Sequence, residues 1–180
     1  MNEFERDDKW QREMRDMILG PRFYGKFAVE GRYVFIDKGR LASILQKRYA
    51  VDTIVQGKQG NAWCIEEKIV RWPEQRGEPY TAFCLETESC TVAGFESDGW
   101  MRYGQADFLL YCFQTEKRVE LDCHLLNFPA LKEWFWPREQ EFNKFKMRDT
   151  LNKTAGRLVD IFAVPEDIKV WHGTLAATAR

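Results

Sequence analysis

The sequence predicts an α/β (α+β) fold in which a mixed β-sheet is flanked by helices. A segment with helical periodicity begins the chain, several strand-like segments follow one another, and two further helical segments come before a last strand. Hydrophobic residues make up 44% of the 180 positions, which is enough to bury a core. We therefore expect a single domain over residues 1–180.

The first part of the chain predicts two helices separated by an extended pair. Residues 8–19 carry apolar side chains on one helical face, and Gly20-Pro21 is expected to end this helix. Residues 27–36 predict a short hairpin around Glu30-Gly31, and residues 40–48 predict the second helix. That helix leads directly into the first strand of the sheet.

The remaining elements are mostly strands, which are recognised by β-branched and aromatic residues between turn signals. The predicted strands are residues 50–55, 61–71, 80–88, 108–114, 118–125 and 157–164. A glycine-bearing turn, residues 56–60, joins the first two of them, and residues 91–99 predict a surface loop. Residues 128–136 and 139–147 predict helices separated by Pro137.

The charge balance and the few histidines narrow the possible functions. Lysine and arginine total 27 against 28 acidic residues, so a contact with nucleic acid must come from a local basic surface. Two histidines are too few, or wrongly spaced, for HNH nucleases or zincins, and no G-x-S-x-G, P-loop or dinucleotide motif is present. Enzymatic chemistry would therefore depend on carboxylates and lysine.

The sequence predicts a cytoplasmic protein without a membrane segment. Its first eight residues are polar and do not form a signal peptide, and the longest apolar run, residues 108–113, is too short to span a bilayer. The five cysteines form no C-x-x-C pair, and four of them lie in strand-like runs. We expect free thiols in a reducing compartment.

A possible catalytic site lies on the two strands that the 56–60 turn joins. Asp52 stands near the start of the first strand, and Glu66 and Lys68 lie two residues apart in the second. Because side chains alternate along a strand, Glu66 and Lys68 should share a face, and antiparallel pairing would bring Asp52 near Glu66. Two close carboxylates suit Mg²⁺ or Mn²⁺, and the lysine can stabilise phosphate charge or orient water.

The run AVDTIVQGKQGNAWCIEEKIVRWP resembles the core of the PD-(D/E)XK nucleases, and the wider sequence is similar to phage- and mobile-element-associated members. The resemblance implies a restriction-endonuclease-like core and metal-dependent hydrolysis of DNA. It identifies Asp52 and Glu66 as the metal-binding acids and Lys68 as the catalytic lysine. Glu67 replaces the usual apolar residue. We expect it to face solvent or to pair with Arg71, and a Glu67 that faced a core would mean that the predicted strand register is off by one residue.

Other residues are candidates for supporting roles. Glu86 is either an extra metal-binding or water-positioning acid or an exposed acid on an edge strand. Gln46 stands where related nucleases often carry a polar or acidic helper, but we favour a position on the helix surface. Asp107 is interpreted as a turn cap, and Trp100 and Tyr103 as core cover in preference to stacking on bases. The predicted nucleic-acid contacts are Lys47, Lys58 and Arg71.

The sequence leaves three functions open. The first is an active nuclease acting on DNA, with RNA not excluded. The second is a nuclease-like fold, weakly active or inactive, that serves as a nucleic-acid-binding or interaction module. The third is an unrelated α+β protein whose Glu-x-Lys is accidental, which carboxylates of Asp52 and Glu66 more than ~8 Å apart would favour. A homodimer is also possible, although no dimer surface can be identified from the sequence.

Overall fold

Two β-sheets that pack face to face organise the chain. The computed structural model describes residues 3–28, 32–36, 39–57, 60–92, 95–146 and 154–177. The strands within these residues are β1 (Tyr33–Phe35), β2 (Thr53–Gln56), β3 (Ala62–Val70), β4 (Ala82–Val92), β5 (Phe95–Asp98), β6 (Phe108–Gln114), β7 (Glu120–Asn127), β8 (Asn143–Lys146), β9 (Ala155–Asp160) and β10 (Lys169–Ala176). The helices are α1 (Glu3–Met14), α2 (Gly25–Phe27), α3 (Gly39–Tyr49), α4 (Trp100–Tyr103) and α5 (Phe128–Phe135).

The larger sheet is mixed and has the strand order β1-β2-β3-β6-β7-β10. Strands β3 and β6 are parallel, whereas the other neighbouring pairs are antiparallel. Residues 109–113 of the central strand β6 are all buried, as expected for an apolar strand covered on both faces. The predicted mixed sheet flanked by helices is confirmed.

The larger sheet separates two apolar clusters. On one face Leu109, Tyr111 and Phe113 of β6 pack with Phe83 and Leu85 of the second sheet. On the other face the alternate residues of the same strands pack against the N-terminal helical segment. That cluster includes Ile18, Leu19, Phe23, Tyr24, Ile65, Ile69, Leu110 and Cys112. The face on which a β3 side chain lies therefore decides its environment.

The second sheet is antiparallel, with the order β5-β4-β9-β8, and two of its strands contradict the sequence predictions. The predicted loop 91–99 is wrong, because β4 continues to Val92 and pairs with β5. The predicted helix 139–147 is also wrong. A 3₁₀ helix, Trp136–Glu141, is followed by β8, and Met147 lies outside the described residues. Pairing of β8 with β9 supplies the backbone hydrogen bonds that a local helix would have made.

The N-terminal helical segment is longer than predicted because Pro21 does not end it. A π-helical stretch, Arg15–Tyr24, continues from α1 through Pro21 into α2. Its wider turn is seen in the bond from the Gly25 N–H to the Gly20 carbonyl, five residues earlier. An α-helix would place the proline ring against a carbonyl four residues back, a clash that the π-helical turn relieves.

The predicted hairpin over residues 27–36 is wrong in the part that is described. Phe27 ends α2, and β1 pairs antiparallel with β2, so that Tyr33 lies opposite Val55. Glu30 and Gly31, the predicted turn, lie outside the described residues. The edge strand β10, which the sequence analysis did not identify, pairs with β7 on the opposite side of the sheet.

Helix α3 and the residue that follows it position the start of β2. The helix buries Ala42 and packs Leu45 against the core, whereas Ile44 is 38% exposed. Ala50 then adopts the left-handed region, with φ of 49°, and turns the chain out of the helix. Two residues later the Asp52 N–H donates a 2.9 Å hydrogen bond to the carbonyl of Ile65.

The cysteines and the lengths of the helices can also be compared with the sequence predictions. The cysteines whose side chains are described, Cys64, Cys84, Cys112 and Cys123, are all free thiols. In the described part of the chain, no helix has both the length and the apolar character needed to span a bilayer.

Candidate active site

Asp52, Glu66 and Lys68 meet on the face of the larger sheet that packs against the second sheet. Strands β2 and β3 pair antiparallel, with Thr53 opposite Ile65. The Lys68 ammonium forms an ion pair with Glu66, and the carboxyl groups of Glu66 and Asp52 are close enough for a side-chain hydrogen bond. Lys68 and Glu66 thus share a face, as strand alternation predicts, and Asp52 lies close enough to Glu66 to influence its charge.

Asp52 is held by groups from two elements. Its Oδ2 accepts a 3.0 Å hydrogen bond from the Glu67 backbone N–H. Its Oδ1 accepts a 3.2 Å hydrogen bond from Nε2 of Gln46, which also donates to the Ile36 carbonyl at 2.6 Å. Gln46 is thus half-buried against the acid, and its predicted position on the helix surface is wrong. The glutamine orients the carboxylate toward Glu66.

Glu86 reaches the same site from the second sheet. Its strand, β4, lies between β5 and β9 and is therefore not an edge strand. The half-buried carboxylate lies near the Trp100 backbone N–H and the Ser89 side chain, which favour its charged form, and within electrostatic range of Lys68. Of the two roles left open for Glu86, the exposed acid on an edge strand is ruled out. Three carboxylates therefore surround one ammonium.

Burial and like charge make this site electrostatically unusual. Burial, followed by the neighbouring Asp52, raises the pKa of Glu66 to about 8. Burial also raises the pKa of Glu86, although the positive charge of Lys68 opposes the change. Burial disfavours the Lys68 ammonium, but the charges of Glu66 and Asp52 outweigh it and raise the pKa of Lys68. Lys68 is therefore charged at neutral pH, and Glu66 binds a proton more readily than an ordinary carboxyl group does.

Helix α4 covers the site with aromatic side chains. Trp100 is only 4% exposed, and Nζ of Lys68 lies 5.0 Å from the centre of its indole ring. This buried position matches the interpretation of Trp100 as a residue that covers the hydrophobic core. Tyr103 is half-buried, and burial and then the charge of Glu66 raise the pKa of its phenol. The indole supports the ammonium by a cation–π contact, and the phenol lies within reach of the acids.

Glu67 contradicts the expectation that it faces solvent or pairs with Arg71. It is 4% exposed and points to the helical side of the sheet. Its Oε2 accepts a 2.7 Å hydrogen bond from Nε of Arg15, and its Oε1 accepts from Tyr24 and Thr53. The partners in the π-helical segment are more than 40 residues away in sequence, so no local pattern indicates them.

The predicted nucleic-acid contacts do not converge on the acids. Lys47 is exposed in the last turn of α3. Arg71 lies over the Trp10 ring at 4.6 Å and donates to the Arg6 carbonyl, which places it beside α1. Lys58 lies outside the described residues. Asp107 is not a local turn cap, since its Oδ2 accepts from the Cys64 N–H across β3 and β6.

A second cluster of possible metal ligands was missed by the sequence analysis. Asp122 and His124 on β7 and His172 on β10 place their ligand atoms within 4.8 Å of one another. The adjacent imidazole of His124, and then that of His172, lower the pKa of Asp122. The Asp-x-His alternation on β7 was a signal for this cluster. The third member, His172, lies 50 residues after Asp122 in the sequence, so spacing alone does not connect it with the other two.

The raised pKa of Glu66 predicts how stability changes with pH in metal-free protein. The folded-state pKa of about 8 exceeds the ordinary value of 4.5, so the folded protein binds the extra proton between these pH values. The free energy of unfolding should therefore fall as pH rises across this range, by at most about 1.4 kcal/mol per pH unit from this group. Urea unfolding with EDTA at pH 5, 6, 7 and 8 measures the change. Glu66→Gln should show a smaller fall, and equal pH dependence in both proteins would contradict the assignment.

Comparisons with protein-family models, curated proteins and solved structures find no match to this chain.

Proposed function

We propose that this protein is a metal-dependent nuclease that hydrolyses DNA phosphodiester bonds at the Asp52/Glu66/Lys68 site. The observation that carries the proposal is the contact between the Asp52 and Glu66 carboxyl groups beside Lys68 on one face of the sheet. Buried like charges in contact are unfavourable unless a cation or a proton compensates them. A pair held in this way is typical of a functional site.

The donor set fits a hard divalent cation. Asp52, Glu66 and Glu86 offer only oxygen ligands, which Mg²⁺ and Mn²⁺ prefer, and one ammonium does not neutralise three carboxylates. A divalent ion held there would polarise the phosphate and lower the pKa of bound water. Glu66 must lose its proton to serve as a ligand, so we expect metal affinity to rise with pH up to about 8.

Lys68 supplies the positive charge that phosphate hydrolysis requires. Its side chain is 32% exposed, and the ion pair with Glu66 and the Trp100 ring restrict the position of its ammonium group. An ammonium held in this way stabilises negative charge that develops on the scissile phosphate. Gln46 donates hydrogen bonds to Asp52 and to the Ile36 carbonyl and is a positioning residue.

DNA as the substrate follows from the resemblance of the 40–71 region to PD-(D/E)XK nucleases. The restriction-endonuclease-like core belongs to the same proposal. It is supported by the helix α3, the antiparallel β2–β3 pair and the parallel pairing of β3 with β6, which together form a mixed sheet around the acids. Lys47, Lys58 and Arg71 remain the predicted contacts with the DNA backbone.

The proposal is tested by incubating the purified protein with single-stranded, nicked, duplex and branched DNA, with Mg²⁺ or Mn²⁺ and with EDTA. We expect cleavage only with metal and at least a ~100-fold loss in Asp52→Asn, because the amide cannot replace the charge that a metal ligand needs. Asp167→Asn, at an exposed site in the turn before β10, controls for the substitution and for contaminating nucleases. Equal cleavage by wild type and Asp52→Asn would assign the activity elsewhere.

The same assay distinguishes the binding-module function. Salt-sensitive DNA binding without metal-dependent cleavage, together with no Mn²⁺ binding at the carboxylates, would replace the nuclease proposal with a nuclease-like binding fold. RNA substrates in parallel reactions establish which nucleic acid is cleaved.

A further inference from the structure

A group of nitrogen and oxygen ligands lies on the opposite half of the larger sheet. The register pairs His172 of β10 directly with His124 of β7, and Asp122 lies two residues before His124 on the same face. The two imidazole rings stack with centroids 4.3 Å apart, and Asp122 Oδ1 lies 2.7 Å from His172 Nε2. One potential ligand atom of each of the three side chains lies within 4.8 Å of those of the other two.

His124 gives the independent indication that a ligand is missing. The residue is 5% exposed, and its Nε2 atom is buried with no hydrogen-bond partner among the described residues. Oδ2 of Asp122 lies 3.4 Å from it, at ion-pair distance but outside good hydrogen-bond geometry. A buried ring nitrogen without a partner is destabilising, and a bound ion would satisfy it. Phe83 and Phe113 pack edge-on against this ring and hold its orientation.

This cluster is separate from the carboxylate site. Across the sheet, Lys68 lies opposite Tyr111, Tyr111 opposite His124, and His124 opposite His172. His124 is therefore two strands from Lys68, or about 10 Å. The ions of two-metal catalytic sites lie only about 4 Å apart, so the histidines cannot supply the second ion of a two-metal nuclease. The Tyr111 side chain stands between the two sites.

We propose that Asp122, His124 and His172 bind a divalent first-row transition ion of the Zn²⁺ class. Two imidazoles and one carboxylate suit such ions, whereas Mg²⁺ prefers oxygen ligands alone. Three protein ligands leave one tetrahedral position for water or a further ligand. The ion would also fasten the edge strand β10 to β7.

Binding requires a small movement of His172. Stacked rings direct their nitrogen lone pairs side by side, so one ring must turn for both nitrogens to face the same ion. The His172 side chain is 57% exposed and can turn, whereas the His124 ring is packed in the core. His124 thus provides a fixed ligand and His172 closes the site over it.

The test is calorimetric titration of Zn²⁺ into tag-free, EDTA-treated protein, with Co²⁺ absorption as a second readout. The chain has two histidines, so any imidazole-bound metal must use this cluster. We expect one bound ion, and His172→Ala should weaken binding at least ~10-fold. Thr174→Ala, an exposed neighbour on the same face of β10, is the matched control and should bind normally. Co²⁺ bound at this site should show ligand-field bands that disappear in His172→Ala.

Glu66→Gln separates this site from the proposed nuclease centre. Zn²⁺ binding that persists in Glu66→Gln and is lost in His172→Ala supports the histidine site, whether or not the protein cleaves DNA. Equal Zn²⁺ affinity in wild type and His172→Ala would overturn it, as would binding that depends on Glu66 alone.

Discussion

Replacing Lys68 with methionine should reduce metal-dependent DNA cleavage by about 100- to 1000-fold, the range seen when one transition-state charge donor is removed. Methionine keeps most of the side-chain length over Trp100 but removes the ammonium that is paired with Glu66. Because the lysine and a metal ion compete for the Glu66 carboxylate, Mn²⁺ binding should persist or become tighter at pH 8. Single-turnover cleavage and Mn²⁺ calorimetry on the same preparation measure the two effects.

The matched control for this variant is Lys169→Met on β10. Lys169 is also a partly buried lysine, 15% exposed and 2.7 Å from Glu166, but it lies across the sheet from the acids. Its loss should leave cleavage unchanged. If Lys68→Met cuts DNA at the wild-type rate, Lys68 is not the catalytic lysine. Loss of Mn²⁺ binding together with cleavage would instead make its role structural.

Replacing Arg15 with methionine should lower the free energy of unfolding by about 3–5 kcal/mol, since it leaves a buried carboxylate without its counter-ion. The Glu67 side chain is 1% exposed and that of Arg15 11% exposed, so water does little to compensate for the lost contact. Burial already raises the pKa of Glu67, and Arg15 is the main group that opposes the rise. The decrease in the free energy of unfolding should therefore become smaller as pH falls and Glu67 binds a proton. Urea unfolding at pH 5 and pH 8 measures both effects.

Two further proteins make this stability measurement specific. Arg12→Met removes an exposed i,i+4 pair with Asp8 from the preceding helix and should change stability by less than about 1 kcal/mol. Adding Glu67→Gln to Arg15→Met removes the uncompensated charge and should recover part of the loss. A loss in Arg15→Met no larger than that in Arg12→Met would show that the Glu67 contact does not stabilise the fold.

The hydrogen bonds of Glu67 also connect the stability of the fold with the candidate active site. The backbone N–H of Glu67 donates to Asp52, while its side chain fixes β3 to the N-terminal helical segment. Consecutive residues of β3 thus lie on opposite faces of the sheet. Glu66 and Lys68 form the site on one face, and Glu67 binds the helical segment on the other. A glutamate at this position is compatible with the motif because Arg15, Tyr24 and Thr53 supply its partners.

Local sequence patterns correctly predicted those helices and strands whose own residues favour that secondary structure. The central strand Phe108–Gln114 is a continuous apolar run and was predicted with the correct bounds. Asn127 caps α5 through its side chain, and Pro129 lies in the first turn, so this helix was also recognised. Strands β5, β8 and β10 carry no such signal. β10 pairs with β7, which is distant in the chain, whereas β5 and β8 are four-residue strands that pair with the strands next to them in the sequence, β4 and β9.

The sequence by itself determined the mixed fold, the antiparallel β2–β3 pair and the contact between the two acids and Lys68, because strand alternation and a short turn set that geometry. Only the tertiary structure decided what surrounds the two acids and Lys68. It placed Glu86 and Trp100 over Lys68, buried Glu67 against Arg15 and brought His172 beside His124. These contacts join residues far apart in the chain, and their positions follow from sheet packing and strand order, which no local pattern encodes.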